Sequence, residues 1–395
     1  MKPYFQSRLT CLSLLAAIAC ENVGAVPYQP KSEDEIVEVL PARGAHWFEI
    51  KALQNRLKAD PYDLSNNLTL VKRYIELGRA ESDPRYFGYA EAVLAPWLSN
   101  GSPKAEVLTL RATLFQNRHD FPAALNDLNQ ALNLQPRLPQ AWLTRALILE
   151  VQGHYAEALN SCLQFSQLDH SLKSKVCLNS TLSLSGQLEP AFNRLSQALD
   201  NAENEALPDK QWALITLAEM AERKEDPDAA DRLYQQSLKL LPSNGYLLAT
   251  YADFLHSQQR YAEVVDLLKD ETRADGLLLR LTLAEQKLNL PQTPSHIDSL
   301  AARFAASRMR GDTTHQADEA RFRLHLSNEP EAALILAKNN WAIQREPRDA
   351  KILLEAAVSV HAWQEAADAL RFIAESQLQD ARLQPLIVAL QEVRP

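Results

Sequence analysis

A pattern of aromatic and small residues recurs along this chain at a nearly constant spacing. Phe121 comes three residues before Ala124. Tyr155 stands in the same relation to Ala158, which follows Ala124 by 34 residues. Units of this kind begin at residues 105, 139, 172, 211 and 245, in steps of 33 to 39 residues. Units this short bury their apolar faces by stacking on one another. The recurrence therefore predicts an array of repeats.

Composition and apolar periodicity favour helices as the repeating elements. The 395 residues are 46% hydrophobic but include only 10 glycines, so a core can form while tight β-turns and glycine-rich phosphate loops are disfavoured. From about residue 44 onward, apolar residues recur at helical spacing. Small residues such as Ala146 let two antiparallel helices approach closely, and large ones such as Trp142 fill the gap to the next pair. Each unit is thus predicted to be a helix pair.

The positions of these small and large residues resemble the tetratricopeptide repeat (TPR) family, most clearly over residues 105–270. That resemblance implies an all-α, TPR-like α-solenoid, a right-handed superhelix of antiparallel helix pairs, in an exported bacterial protein. The residues that carry it include Leu108, Ala112, Phe115, Ala124, Leu128, Ala131, Trp142, Ala146, Leu149, Gly153, Ala158, Leu182, Gly186, Ala191, Leu195, Ala198, Leu214, Ala218, Ala221, Ala230, Tyr234, Pro242, Leu248, Ala252, Leu255 and Tyr261.

The chain divides into five predicted segments. Residues 1–25 are predicted to be a signal peptide and residues 26–43 an extended, proline-containing arm. Residues 44–104 follow as divergent N-terminal helical repeats, and residues 105–270 as the TPR array. Residues 271–395 are predicted to form irregular C-terminal helical repeats and a capping helix.

The N-terminus has the features of an export signal. Lys2 and Arg8 precede a mostly apolar stretch that is too short to span a bilayer. Small residues allow cleavage after Ala25, which predicts a periplasmic protein. Alternatively, the residues around Cys20 resemble a lipoprotein signal, and the protein would then be lipid-anchored to the envelope through Cys20. No later apolar run is long enough for a membrane helix.

Two cysteines lie beyond the predicted signal region, Cys162 and Cys177. An even pair in an oxidising compartment favours a disulfide, whereas the alternative is two buried free thiols. In the repeat architecture, Cys162 falls in the second helix of one unit and Cys177 in the first helix of the next. These helices pack side by side, so a Cys162–Cys177 disulfide is expected.

Catalytic, metal and cofactor motifs are lacking from the sequence. There is no His-Glu-x-x-His, phosphate-binding lysine loop, nucleophile elbow or Cys-x-x-Cys. The net charge of −9 disfavours a nucleic-acid partner. We therefore expect a non-catalytic interaction scaffold without a cofactor. Two alternatives remain: a self-associating component of an envelope assembly and, less favoured, a helical-repeat glycan-processing enzyme.

Fixed positions of each first helix line the concave surface in the TPR family, and they predict a partner-binding groove here. The groove is polar with apolar islands, which suits an extended peptide or protein segment from the cell envelope. A carboxylate at position 150 would select a basic or amide-rich segment. The predicted groove residues are Thr109, Thr113, Gln116, Asn117, Leu147, Glu150, Ser180, Ser183, Glu219 and Arg223.

Overall fold

The computed structural model describes residues 45–80, 83–99, 103–312 and 314–392, together with Ser32. The predicted signal peptide, its cleavage site, Cys20 and nearly all of the predicted arm lie outside these residues. The chain divides into two units, residues 1–48 and residues 49–395. Only Ser32 and the start of the first helix are described in the first unit, and the architecture below is that of the second.

The described residues contain twenty α-helices, two 3-10 helices and no strand, which confirms the all-α prediction. The 3-10 helices, Trp363–Ala366 and Ala381–Leu383, lie directly before α19 and α20. The α-helices are α1 Ala45–Ala59, α2 Leu64–Ala80, α3 Arg85–Leu98, α4 Ala105–Asn117, α5 Phe121–Leu134, α6 Pro139–Val151, α7 Tyr155–Leu168, α8 Leu172–Leu184, α9 Leu188–Asp200, α10 Leu207–Arg223, α11 Pro227–Leu240, α12 Gly245–Ser257, α13 Tyr261–Leu268, α14 Asp275–Leu288, α15 Thr293–Met309, α16 Gln316–His325, α17 Pro330–Trp341, α18 Pro347–Ser359, α19 Ala367–Glu375 and α20 Gln384–Glu392.

Consecutive helices pack as pairs, from α2 with α3 to α16 with α17. The first helix of each pair also contacts the first helix of the next, so α2, α4, α6, α8, α10, α12, α14, α16 and α18 form one continuous layer. The small residues at the pair contacts, among them Ala112, Ala124, Ala146 and Ala158, are almost completely buried. The stack is therefore an α-solenoid held together by close helix contacts, as the sequence predicts.

From the pair α4–α5 onward, the turn inside each pair ends the first helix with a left-handed residue. Gly153 has φ +77°, and the N–H of His154 donates to the carbonyl of Leu149, as in a Schellman motif. Positive φ recurs at the corresponding turns, at His119, Gly186, Glu225, Gln259, Asn289, Asn328 and His361. The C-terminal pairs thus repeat the turn of the pairs in residues 105–270, although their sequence pattern is weak.

The predicted disulfide is present between α7 and α8. Cys162 and Cys177 are bonded with their Cα atoms 5.6 Å apart, and both residues are buried. Phe165 packs against them in a small apolar cluster. The bond therefore joins the second helix of one pair to the first helix of the next.

The C-terminal pairs pack against the turns of the pairs α6–α7 and α8–α9. The N–H of Arg345 donates to the carbonyl of Val151 at 2.7 Å, and the rings of Tyr155 and Phe372 are 5.8 Å apart. Tyr155 and Leu184 share one buried cluster with the apolar side chains of α17 to α20. The C-terminal repeats therefore cover the C-terminal ends of α6 and α8.

Candidate partner-binding site

Four of the ten predicted groove residues are buried and bonded within the protein. The hydroxyl of Thr109 donates to the carbonyl of Ala105, and that of Thr113 donates to the carbonyl of Thr109. Arg223 donates from Nη1 to the carbonyl of Ser183 at 2.9 Å and from Nη2 to its hydroxyl at 2.6 Å. The bonds of Thr109 and Thr113 lie within α4, whereas those of Arg223 and Ser183 join α10 to α8, and all four side chains present little surface to a partner.

The other six groove residues are partly exposed, namely Gln116, Asn117, Leu147, Glu150, Ser180 and Glu219. Asn117 donates from Nδ2 to the carbonyl of Thr113 at 2.8 Å and accepts a long bond from Arg79 at 3.5 Å. Leu147 packs against the cluster that contains the disulfide. These residues form the part of the predicted groove that solvent reaches.

Two hydroxyl groups hold the carboxylate of Glu150 on α6. Its Oε1 accepts from the hydroxyl of Ser180 at 2.8 Å and its Oε2 from that of Thr181 at 2.5 Å. Burial raises the pKa of Glu150 to about 7, and the two hydroxyl donors oppose that rise. In the part of the chain that the structure describes, this carboxylate has no ion-pair partner.

Glu219 on α10 lies in a similar environment. Its Oε1 accepts from the phenol of Tyr246 at 2.6 Å, and burial raises its pKa to about 7. Among the described side chains it too has no ion-pair partner. The positive charge of Arg348 lowers the pKa of Glu219, whereas the negative charges of Glu222 and Glu346 raise it. The first-helix layer therefore presents two incompletely neutralised carboxylates.

The start of α18 adds residues to this site that the sequence did not predict. Arg348 pairs with Glu346 at 2.6 Å, and its guanidinium lies 5.5 Å from the ring centre of Tyr246. The Arg348 side chain is 49% exposed and Tyr246 is 44% exposed, so solvent enters between α12 and α18. Because the segment 271–395 has weak repeat spacing, nothing in the sequence aligned Arg348 with the first helices. Arg348 reaches Tyr246 only because the fold places the start of α18 beside α12.

Charge around α18 also affects the site. Asp349 accepts from the amide of Asn340 at 2.9 Å and from the N–H of Glu346 at 3.0 Å, so it caps the helix. Burial, together with the charge of Glu346, raises the pKa of Asp349 to about 7. The charge of Glu346 also raises the pKa of Glu150 and of Glu219. The site therefore has carboxyl groups on the first helices α6 and α10 and also at the start of α18.

Comparison with known proteins assigns the repeat. Residues 109–164 match the tetratricopeptide repeat family, and they cover the predicted units around Ala124 and Ala158. The tetratricopeptide repeat is thus identified in these residues. No curated protein sequence matches it. Within the described residues no helix has the length and apolarity to cross a membrane, and no cluster of His, Cys, Asp or Glu is arranged to hold a metal ion.

Three solved structures illustrate what this chain is similar to. A chain of the APC/C hetero-tetramer Cut9–Hcn1 is 15% identical with TM-score 0.42, over 79% of this chain and 52% of that chain. A Rap protein complexed with competence and sporulation factor is 12% identical with TM-score 0.49, over 88% and 97%. The human IFIT1 dimer with m7Gppp-AAAA is 15% identical with TM-score 0.45, over 88% and 86%. This chain thus spans about half of the Cut9–Hcn1 chain, and the likenesses concern the fold alone.

Proposed function

We propose that this TPR protein is an exported, non-catalytic scaffold that binds a basic segment of a protein or peptide partner along its first helices. The observation that supports the proposal most is the pair of carboxylates, Glu150 and Glu219. Each is fixed by hydroxyl donors, carries a pKa raised to about 7 by burial, and has no ion-pair partner in the described part of the chain.

Partly buried carboxylates without a cation are costly to ionise. Lys or Arg side chains of a ligand would supply the missing charge and would lower both pKa values. Such charge-assisted bonds are stronger than neutral ones. Gln116 and Asn117, which can each donate and accept, are suited to pair with the backbone of the same segment. The site therefore favours a cationic, extended ligand.

Export is the second part of the proposal. The first residues of the sequence have the charge and apolarity of a signal peptide, and the Cys162–Cys177 disulfide suits an oxidising compartment. Both features support a periplasmic protein or, by way of Cys20, a lipid-anchored one. The partner would then belong to the cell envelope.

Affinity capture from an envelope fraction tests this function. The bait is the mature protein, and the test variant carries Glu150→Gln and Glu219→Gln, which keep side-chain size and remove the charge. The matched control carries Glu271→Gln and Glu375→Gln, two exposed carboxylates outside the site. We expect the wild type and the control to enrich the same proteins, as measured by mass spectrometry, and the test variant to lose them. Equal enrichment by all three baits would refute the site.

A further inference from the structure

A second surface for a partner lies on the side of α8 between the two second helices α7 and α9. A groove of about 570 Å³ opens there, and ten residues line it. Five of them are apolar, among them Leu163 on α7 and Leu178 on α8, and Leu163 is 46% exposed. The concave-site residues Glu150 and Glu219 do not line this groove.

One position in the lining of the groove holds a small side chain. Ala198 on α9 lies in the groove and is partly exposed. The equivalent residue of the preceding second helix is Phe165, which stands 33 residues earlier, the interval that also separates Ala191 from Ala158. Phe165 is buried at 2% exposure. A side chain of that size is therefore tolerated at this helix position elsewhere in the array, and at position 198 it would occupy the groove.

The rim of the groove is cationic. Lys175 and Arg194 are its charged residues, and none of the ten lining residues is acidic. Asn179 is buried, donates to the carbonyl of Lys175 at 2.9 Å, and accepts from Nε of Arg194 at 3.0 Å. This bond orients the guanidinium, while neither cation forms an ion pair with any described residue. The chain as a whole has a net charge of −9, whereas this apolar groove has two basic residues and no acidic residue in its lining.

We propose that this groove docks an acidic amphipathic helix of a protein partner, with leucine-sized side chains on one face and carboxylates beside them. The walls are helices whose backbone groups are already bonded, so a strand could not extend them, whereas a helix satisfies its own backbone. The lining runs about 10 Å along α8, from Lys175 to Leu182, which suits two turns of helix. The Cys162–Cys177 disulfide joins α7 to α8 beside Leu163 and Leu178 and fixes the two surfaces before binding.

Fluorescence anisotropy with two synthetic helices tests the proposal. The probe carries leucines at every third or fourth position and glutamates at the positions beside them, and the comparison peptide has glutamines in place of the glutamates, so that it offers no cation to Glu150 and Glu219. We expect saturable binding of the glutamate peptide and at least about tenfold weaker binding of the glutamine peptide. Equal binding of the two peptides, or no saturable binding of the glutamate peptide, would overturn the proposal.

Variants locate the binding on the molecule. Ala198→Phe, which fills the groove, and Arg194→Glu, which reverses its charge, should each weaken the glutamate peptide by about tenfold or more. Lys239→Glu makes a similar charge change on the exposed face of α11 and should leave binding within about twofold. Glu150→Gln with Glu219→Gln should also leave it unchanged, so this test stands apart from that of the concave site. If Ala198→Phe binds like the wild type, or Lys239→Glu weakens binding as much as Arg194→Glu, the groove is not the docking surface.

Sedimentation of the unliganded protein tests the other occupant of such a groove, a second copy of this chain. The proposal expects the wild type and Leu163→Glu to sediment alike. A wild-type dimer that Leu163→Glu dissociates would show that the groove is a self-association surface and would overturn the proposal.

Discussion

Nη1 of Arg382 donates to Oε2 of Glu222 at 2.8 Å, across 160 residues of sequence. The same guanidinium binds Asp380, and Glu222 also accepts from the phenol of Tyr234. Glu222 and Asp380 are buried, so their charges depend on Arg382. This ion pair joins the segment before α20 to the C-terminal end of α10, the helix that also carries Glu219.

Removing Arg382 should therefore release the C-terminal pairs. Arg382→Met leaves two buried carboxylates without their cation, and we expect a loss of about 3 kcal/mol in the free energy of unfolding. The matched control is Arg371→Met, because Arg371 and its partner Asp368 are both largely exposed, and it should cost less than about 1 kcal/mol. Denaturant unfolding measures both. Equal losses would mean that the Arg382 contact contributes no more than a surface ion pair.

Gly153 should be the least replaceable glycine of the array. It has φ +77°, and an added Cβ would lie 2.6 Å from the ring of Phe372, which packs between Tyr155 and Trp341. Gly153→Ala combines a left-handed alanine with a clash, and we expect a loss of about 3 kcal/mol. Gly311→Ala has a similar φ but open space around it, so it should cost about 1 kcal/mol. Thermal unfolding of the two variants would contradict this account if Gly311→Ala were the less stable.

The disulfide should contribute measurably to stability. Cys162 and Cys177 are separated by 15 residues, and closing a loop of that length is worth about 3 kcal/mol in the chain-entropy estimate. We expect a reductant to lower the free energy of unfolding of the wild type by about that amount. The same reductant should have no effect on a variant with Cys162→Ala and Cys177→Ala. A wild type that is insensitive to complete reduction would rule out this role.

Burial of Glu150 should make stability depend on pH. Its pKa is raised from the ordinary 4.5 to about 7, so the folded protein holds a proton that the unfolded chain releases between these values. The stabilising effect of that proton is present at low pH and is lost as the pH rises towards 8. Glu150→Gln, which cannot ionise, should therefore gain on the order of 1 to 2 kcal/mol over the wild type at pH 8 and little at pH 4. Denaturant unfolding at both pH values checks this, and an equal gain at both would contradict the assigned pKa.

The repeats could be predicted because their sequence signals are local. Gly153 and Gly186 mark left-handed turns, and buried alanines such as Ala158 mark close helix contacts. His119, Glu225, Gln259, Asn328 and His361 occupy the same kind of turn without a glycine, so this signal marks only some of the repeats. The C-terminal pairs are irregular in sequence because their apolar spacing is weaker, not because their turns differ.

The site could be predicted only in part, for a related reason. The repeat register placed Glu150 and Glu219 on the first helices, where the structure has them. It could not distinguish them from Arg223, which is buried on the same helix as Glu219. It also could not show that Arg348 reaches Tyr246, since that contact depends on how far the solenoid turns over several pairs. Small rotations between successive helix pairs accumulate along the solenoid, and no local sequence pattern predicts the total rotation.

Binding of a basic peptide to the two carboxylates tests the proposed function most directly. A fluorescein-labelled peptide rich in lysine and arginine is titrated with the mature protein, with the variant Glu150→Gln plus Glu219→Gln, and with the control Glu271→Gln plus Glu375→Gln. We predict that the wild type and the control bind alike, that the test variant binds at least about tenfold more weakly, and that wild-type affinity falls as the pH drops below about 7, where both carboxylates take up protons. Equal affinity of all three proteins at pH 8, or wild-type affinity that does not change between pH 8 and pH 5, would contradict the central claim.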